Sequence, residues 1–181
     1  GLLSASSHRI VTETSRLAMP EVTIGLYPDV GASWFLNRLP NGTGRFLAMT
    51  GGQINAPDAL HLGLADRAIA SHHREALAQA LLEARWGEGE QTDAHGVVNR
   101  VLRELEQASQ AAFAELEAPV YKASSLIREL MDHDTVEQQV AAVAQPLAVV
   151  EGHAKSIRGI TRVCWRPRAC ARSWSWRPAR A

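Results

Sequence analysis

The sequence predicts an α/β chain in which short strands and tight turns come first and amphipathic helices follow. Three observations carry this. Residues 8–70 hold brief β-branched and apolar runs punctuated by proline and glycine. From Ser71 onward, apolar residues recur at helical spacing. The chain has 181 residues, 46% of them hydrophobic and 21% charged, enough for a core of its own.

The elements follow in order. Residues 8–13, with Ile10, Val11 and Thr12, read as a short strand, and Leu17-Ala18-Met19 is a second apolar run stopped by Pro20. Residues 21–29 read as a loop with buried aliphatics Val22, Ile24 and Leu26. A helix is expected over Val30 to Leu39, because Val30, Trp34, Phe35 and Leu39 share a face. Trp34 and Phe35 are expected in the core or at a subunit interface. Pro40-Asn41-Gly42 is a turn, and Thr43 to Thr50 is a short helix closed by Gly51-Gly52. Asn55 caps the next helix, with Pro57 and Asp58 in its first turn and Gly63 at its end. Residues 64–69 suit a short strand.

The helical part begins at Ser71. Leu77, Ala80, Leu81 and Ala84 line one face, and Gly87 and Gly89 break the run. Val97, Val101, Leu105, Ala108, Ala112 and Leu116 line a second helix. Pro119 opens a third with Ala123, Ile127, Leu130 and Met131 inward, and Asp134 with Glu137 forms a box-like cap for a fourth that Pro146 stops. The expected division is a partial core over 1–70, a helical region over 71–151 and a basic tail over 152–181.

The formal net charge of zero conceals an asymmetry. Residues 1–151 carry all 19 acids and a net −8, whereas residues 152–181 carry Lys155, seven arginines and a net +8. Both cysteines and three of the five tryptophans sit in that tail. Such a shift fits a frame-shifted end or a basic arm. Cys164 and Cys170, with only His153 nearby, fall short of the three or four ligands a metal needs, so no metal is expected. No apolar run approaches the roughly 18–20 residues that span a bilayer, and no secretory leader is read. A cytoplasmic protein without a membrane partner is expected. His72-His73 and His61 are read as surface residues. Asn41-Gly42-Thr43-Gly44 lacks the Lys-Ser/Thr of a phosphate-binding loop.

Chemistry is best placed in the segment from Met19 to Gly31. Glu21 and Asp29 stand eight apart in a stretch otherwise made of apolar and backbone-bending residues. Two carboxylates brought together in a dry setting have the shifted proton affinities that acid–base work requires. The plainer alternatives are Asp29 as the cap of a helix starting at Val30 and Glu21 as a solvated loop residue.

Met19-Pro20-Glu21, then Ile24 through Ala32 (Ile-Gly-Leu-Tyr-Pro-Asp-Val-Gly-Ala), then Phe35 through Leu39 (Phe-Leu-Asn-Arg-Leu) resemble the crotonase (enoyl-CoA hydratase/isomerase) superfamily. The closer likeness is to its 3-hydroxyisobutyryl-CoA hydrolase branch. Thr50-Gly51 and Ala56 through Asp66, ending Gly-Leu-Ala-Asp, resemble the family's next segment. The likeness is close over residues 1–69, looser over 71–145 and absent over 152–181.

The resemblance implies the C-terminal half of a crotonase-type ββα spiral followed by amphipathic α-helices. It implies a catalytic role for Glu21 and Asp29, and substrate contacts by Glu21, Asp29, Leu26 and Tyr27. Hydratases carry another glutamate twenty residues ahead of the Pro-Glu glutamate; Gly1 stands there, which favours thioester hydrolysis. The implied substrate is an acyl-CoA thioester of valine breakdown, with coenzyme A as part of the substrate and no tightly bound cofactor. Self-association is implied, and nucleic acid is disfavoured as a partner. The family's oxyanion donors and most of its CoA site are implied to lie before Gly1, so this chain is expected to be N-terminally truncated and inactive or nearly so. The competing readings are a hydratase or isomerase of the same superfamily and a non-catalytic interaction fragment with a basic tail.

Overall fold

A two-residue strand buries little by itself, so each strand of this chain depends on the helix or turn beside it. The structure, a computed structural model, describes residues 1–86 and 93–144. The helices are α1 (Leu2–Ala5), α2 (Ala32–Leu36), α3 (Thr43–Thr50), α4 (Ala56–His61), α5 (Arg74–Glu83), α6 (Ala94–Phe113), α7 (Pro119–Lys122), α8 (Ser124–Met131) and α9 (Val136–Ala144). The strands are β1 (Ile10–Val11), β2 (Arg16–Leu17), β3 (Ile54–Asn55) and β4 (Arg67–Ala68), and 3₁₀ turns occupy Pro20–Ile24, Pro40–Gly42 and Ser71–His73. The expected breaks at Gly87 and Gly89, the stop at Pro146 and everything placed in the tail lie outside the described residues.

The chain forms two compact units. Among the described residues, one holds Gly1, Leu17–Ile54 and residues 119–144; the other holds Leu2–Arg16 and residues 55–86 and 93–118. Each unit takes residues from both sides of position 70.

In the second unit β1 pairs with β4 in parallel, Ile10 opposite Arg67 and Val11 opposite Ala68. A parallel pair requires a crossover, and α4 lies on the connection. The Asn55 side chain accepts from the Asp58 N–H at 3.0 Å and so caps α4 as the sequence indicates. Arg9 clamps the pairing. Its Nη2 and Nε donate to Asp66 at 2.6 and 2.9 Å, its backbone N–H donates to Asp66 Oδ2, and its Nη1 reaches the Gly63 carbonyl. The guanidinium holds the Asp66 carboxyl below its ordinary range. Leu77, Ala80, Leu81 and Ala84 do form the half-buried face of α5 and the residue after it.

Helix α6 is rotated from its expected face. Its buried centre is Leu102 and Ser109, while Ala108 is exposed. Polar pairing sets this rotation. Ser109 Oγ accepts the Ala70 N–H at 2.9 Å and donates to the Leu105 carbonyl, and Glu106 accepts from Arg67 Nη1 at 2.7 Å. An apolar stripe cannot show that a serine and a glutamate face inward.

In the first unit α3 is the platform. Phe46 and Leu47 are buried on it, and the 3₁₀ turn Pro20–Ile24, α2 and α8 all pack against it. Of the residues expected inward on the third helical stretch, Ala123, Ile127 and Met131 are buried and Leu130 is half-buried; Val120, not among them, is buried as well. Gly42 lies against Met131, where an added Cβ would stand 2.8 Å from the Met131 Cβ. The cap of α9 falls one residue later than read. Thr135 and Gln138 bond reciprocally, the Gln138 N–H to Thr135 Oγ1 and the Thr135 N–H to Gln138 Oε1.

Two expectations test this fold. Ser109→Ala leaves the buried Ala70 N–H without an acceptor and should cost about 1–3 kcal/mol in urea unfolding. Because Asp66 is held below its unfolded value, its contribution is present above the unfolded pKa and lost as pH falls through the folded one. Asp66→Asn should therefore flatten the acid limb of the stability–pH curve, measured by thermal melts between pH 6 and 2.

Candidate active site

Pro20 fixes the φ of the first residue of a 3₁₀ turn, Pro20–Ile24, and places Glu21 in its first turn. Thr23 Oγ1 donates to the Pro20 carbonyl at 2.7 Å, and the Leu26 N–H returns to the Glu21 carbonyl at 3.1 Å. Gly25, at φ 78°, makes the left-handed exit that this return needs. Glu21 is half-buried. Its Oε2 is shut off from water and has no hydrogen-bond partner among the described residues. A buried polar atom left unsatisfied costs about 1–3 kcal/mol and calls for an explanation in function or strain.

The loop reading of residues 21–29 needs correcting in two ways. Its start is a 3₁₀ turn, and its aliphatics are not all buried. Ile24 is 74% exposed, Leu26 57% and Tyr27 80%; Val22 alone of the expected wall is partly covered. Helix α3 offers one packing surface, and the residues on the far side of the turn have nothing over them among the described residues.

Asp29 is exposed. It does not cap a helix at Val30, because α2 begins only at Ala32. Val30 and Gly31 intervene at φ 43° and φ 80°, and the Ala32 N–H closes the turn onto the Asp29 carbonyl at 2.8 Å. Positive φ at both central residues is the signature of a type I′ turn, which favours Asn-Gly. A β-branched residue in the left-handed region costs about 1–2 kcal/mol. The Asp29 carboxylate accepts no hydrogen bond among the described residues. Sequence reasoning missed this turn; the glycine two positions after Asp29 was the available signal. Further on, Trp34 is exposed rather than core, with the Arg38 guanidinium 3.7 Å from its ring centre.

Gly1 lies against Val30. A Cβ at residue 1 would come within 3.2 Å of the Val30 Cβ, close enough that Val30 would have to give by a few tenths of an ångström. Elsewhere His72 and His73 sit on the 3₁₀ turn Ser71–His73, and no group of three or more His, Cys, Asp or Glu able to hold a metal occurs among the described residues.

The comparison that decides the family matches nearly the whole chain: residues 1–164 fit the family described as enoyl-CoA hydratase/isomerase. The chain belongs to the enoyl-CoA hydratase/isomerase family. Its fold is the α/β crotonase type. A carnitinyl-CoA dehydratase from Mycobacterium thermoresistibile superposes with a TM-score of 0.60 at 25% identity, covering 94% of this chain and 47% of that one. Among curated proteins, 3-hydroxyisobutyryl-CoA hydrolase 1 of Arabidopsis thaliana is 32% identical over 135 residues, 75% of this chain and 33% of that protein. The mitochondrial 3-hydroxyisobutyryl-CoA hydrolase of Dictyostelium discoideum is 39% identical over 83 residues, 46% of this chain and 22% of that protein. The chain thus spans a third or less of the length of these relatives. The cytoplasmic expectation is overturned, since this relative and others of the same name are mitochondrial. Composition and the lack of an apolar span carry no compartment address; targeting segments do. Among the described residues no helix is long and apolar enough to cross a membrane.

Val30→Asn should relieve the turn and raise stability by about 1 kcal/mol, read as a higher urea midpoint at unchanged slope.

Proposed function

We propose that this chain carries the carboxylate pair of an acyl-CoA thioester hydrolase of the 3-hydroxyisobutyryl-CoA type, acting in valine breakdown. The observation that carries the reading is the Glu21 carboxylate, one oxygen held from water with no donor among the described residues, on a turn fixed by Pro20 and Gly25. Asp29 is the second functional carboxylate, and Leu26 and Tyr27, both exposed, are the apolar contacts for the acyl group. The names of the relatives support the hydrolase over the hydratase. So does the crowding at Gly1, where a hydratase-type glutamate would press its Cβ on Val30.

Thioester hydrolysis adds water across the C–S bond and gives a carboxylate and a free thiol. Glu21 serves it in one of two ways. Its oxygen adds to the carbonyl carbon, expelling thiolate and leaving an anhydride that water then opens, or it takes a proton from the attacking water. Both routes use a carboxylate poorly solvated before reaction. Asp29 orients the water or the substrate hydroxyl. The developing oxyanion calls for two N–H donors, which the resemblance places on segments ahead of Gly1. Coenzyme A enters as part of the substrate. Pairing with a further copy of the chain is part of the same reading.

The test is single-turnover release of free thiol from 3-hydroxyisobutyryl-CoA, with protein in excess. Release above the buffer rate is expected, well below that of a complete relative. It should fall at least tenfold in Glu21→Gln and in Asp29→Asn, with no hydration of an enoyl-CoA. Release untouched by both substitutions, or hydration in its place, would overturn the reading.

A further inference from the structure

The segment Asp29–Ala32 departs from the conformation that its local sequence favours. Asp29 followed by Val30 and Gly31 ahead of an apolar helical face is a good start for an Asp-capped helix, with the side chain of Asp29 over the first free N–H groups. In that arrangement Val30 and Gly31 are the first two helical residues, and the Ser33 N–H reaches the Asp29 carbonyl. The structure does otherwise. The Asp29 carbonyl takes the Ala32 N–H instead, the Trp34 N–H closes on the Gly31 carbonyl at 2.9 Å, and α2 has no side-chain cap. A valine at φ 43° sits in the turn that achieves this. A β-branched residue held in a disfavoured region persists only where the surroundings impose it, and such positions gather at functional sites.

We propose that Gly31 is a positioning residue: its left-handed backbone holds the Val30–Gly31 turn, and the turn keeps the Asp29 carboxylate off the helix terminus and free for the substrate. This rests on the reading of Asp29 as a site carboxylate. Gly31 is the residue through which the turn can be tested cleanly. At φ 80° it needs a conformation that alanine avoids, yet a Cβ there meets nothing within 4 Å. A substitution at Gly31 therefore acts on backbone preference and not by collision.

The experiment compares Gly31→Ala with Gly31→Asn in the 181-residue chain. Alanine favours the helix and disfavours the turn, whereas asparagine tolerates the left-handed region. Two readouts are taken: single-turnover thiol release from 3-hydroxyisobutyryl-CoA, and amide hydrogen exchange at Ser33. Gly31→Ala should slow Ser33 exchange at least tenfold, as Asp29 becomes the cap, and lower the single-turnover rate of release at least tenfold at saturating protein. Gly31→Asn should keep parental exchange and release within threefold of the parent. Parental release in Gly31→Ala overturns the proposal, as does equal loss in both variants, which would indict the added side chain and not the turn. Glu21→Gln separates this from the underlying reading. If Glu21→Gln leaves release unchanged, the hydrolase reading fails, while Ser33 exchange still decides whether the turn keeps Asp29 from capping α2.

Discussion

Helix α3 sits where it does because residue 44 has no side chain. A Cβ on Gly44 would fall 1.9 Å from the Leu36 carbonyl oxygen, so α2 and α3 meet backbone to backbone. Glycine inside a helix costs about 0.5–1 kcal/mol, and the contact it permits offsets that by burying Leu36, Phe46 and Leu47. The consequences spread through the first unit. The 3₁₀ turn bearing Glu21 packs on α3, α2 follows directly from the turn bearing Asp29, and Met131 of α8 lies on Gly42 just before α3. One close approach therefore fixes the helix that seats one carboxylate-bearing turn and abuts the helix that follows the other.

The acidic residues of this chain divide by what they are bonded to. In the second unit Asp66 is gripped by Arg9, Glu106 by Arg67, and Glu13 by the Ser71 hydroxyl and N–H. Hydrogen bonds to the charged form hold the Asp66 and Glu13 carboxyls below their ordinary range. These groups are struts, spent on joining strand to helix. Among the described residues nothing donates to the buried oxygen of Glu21 or to the exposed carboxylate of Asp29. Exposed carboxylates are ordinary; a half-buried one with an oxygen shut off from water and left without a donor is not. The difference lies in the partners, since both kinds of carboxylate come from the same chain and the same composition.

What could be read from the sequence was whatever local chemistry decides alone. Asn55 two residues before Pro57 and three before Asp58 could only be a cap, and it is one. Gly51 after Thr50 closes α3 at φ 61°, as a helix-ending glycine should. The Met19–Gly31 motif located the candidate site, and its likeness named the family. The inward face of α6 was placed too far round because the buried Ser109 and the half-buried Glu106 are held there by partners distant in sequence, Ala70 and Arg67. The aliphatic wall was misjudged because burial of Ile24 and Leu26 depends on what lies over the turn, which hydrophobicity does not report.

The start of α2 is the more instructive miss. Each local rule pointed one way: an aspartate cap, a helical apolar spacing, a valine that shuns positive φ. The chain adopts the opposite, and only Gly31 among the local residues agrees with it. Natural sequences are in the main consistent from residue to fold, and where that consistency breaks, function or strain is the usual cause. Here the break falls beside one of the two carboxylates that the motif singles out. Elsewhere in the described chain the one other non-glycine residue at positive φ is Asn41, a type that tolerates it. The conflict is thus confined to the place where an ordinary helix start would have used up Asp29.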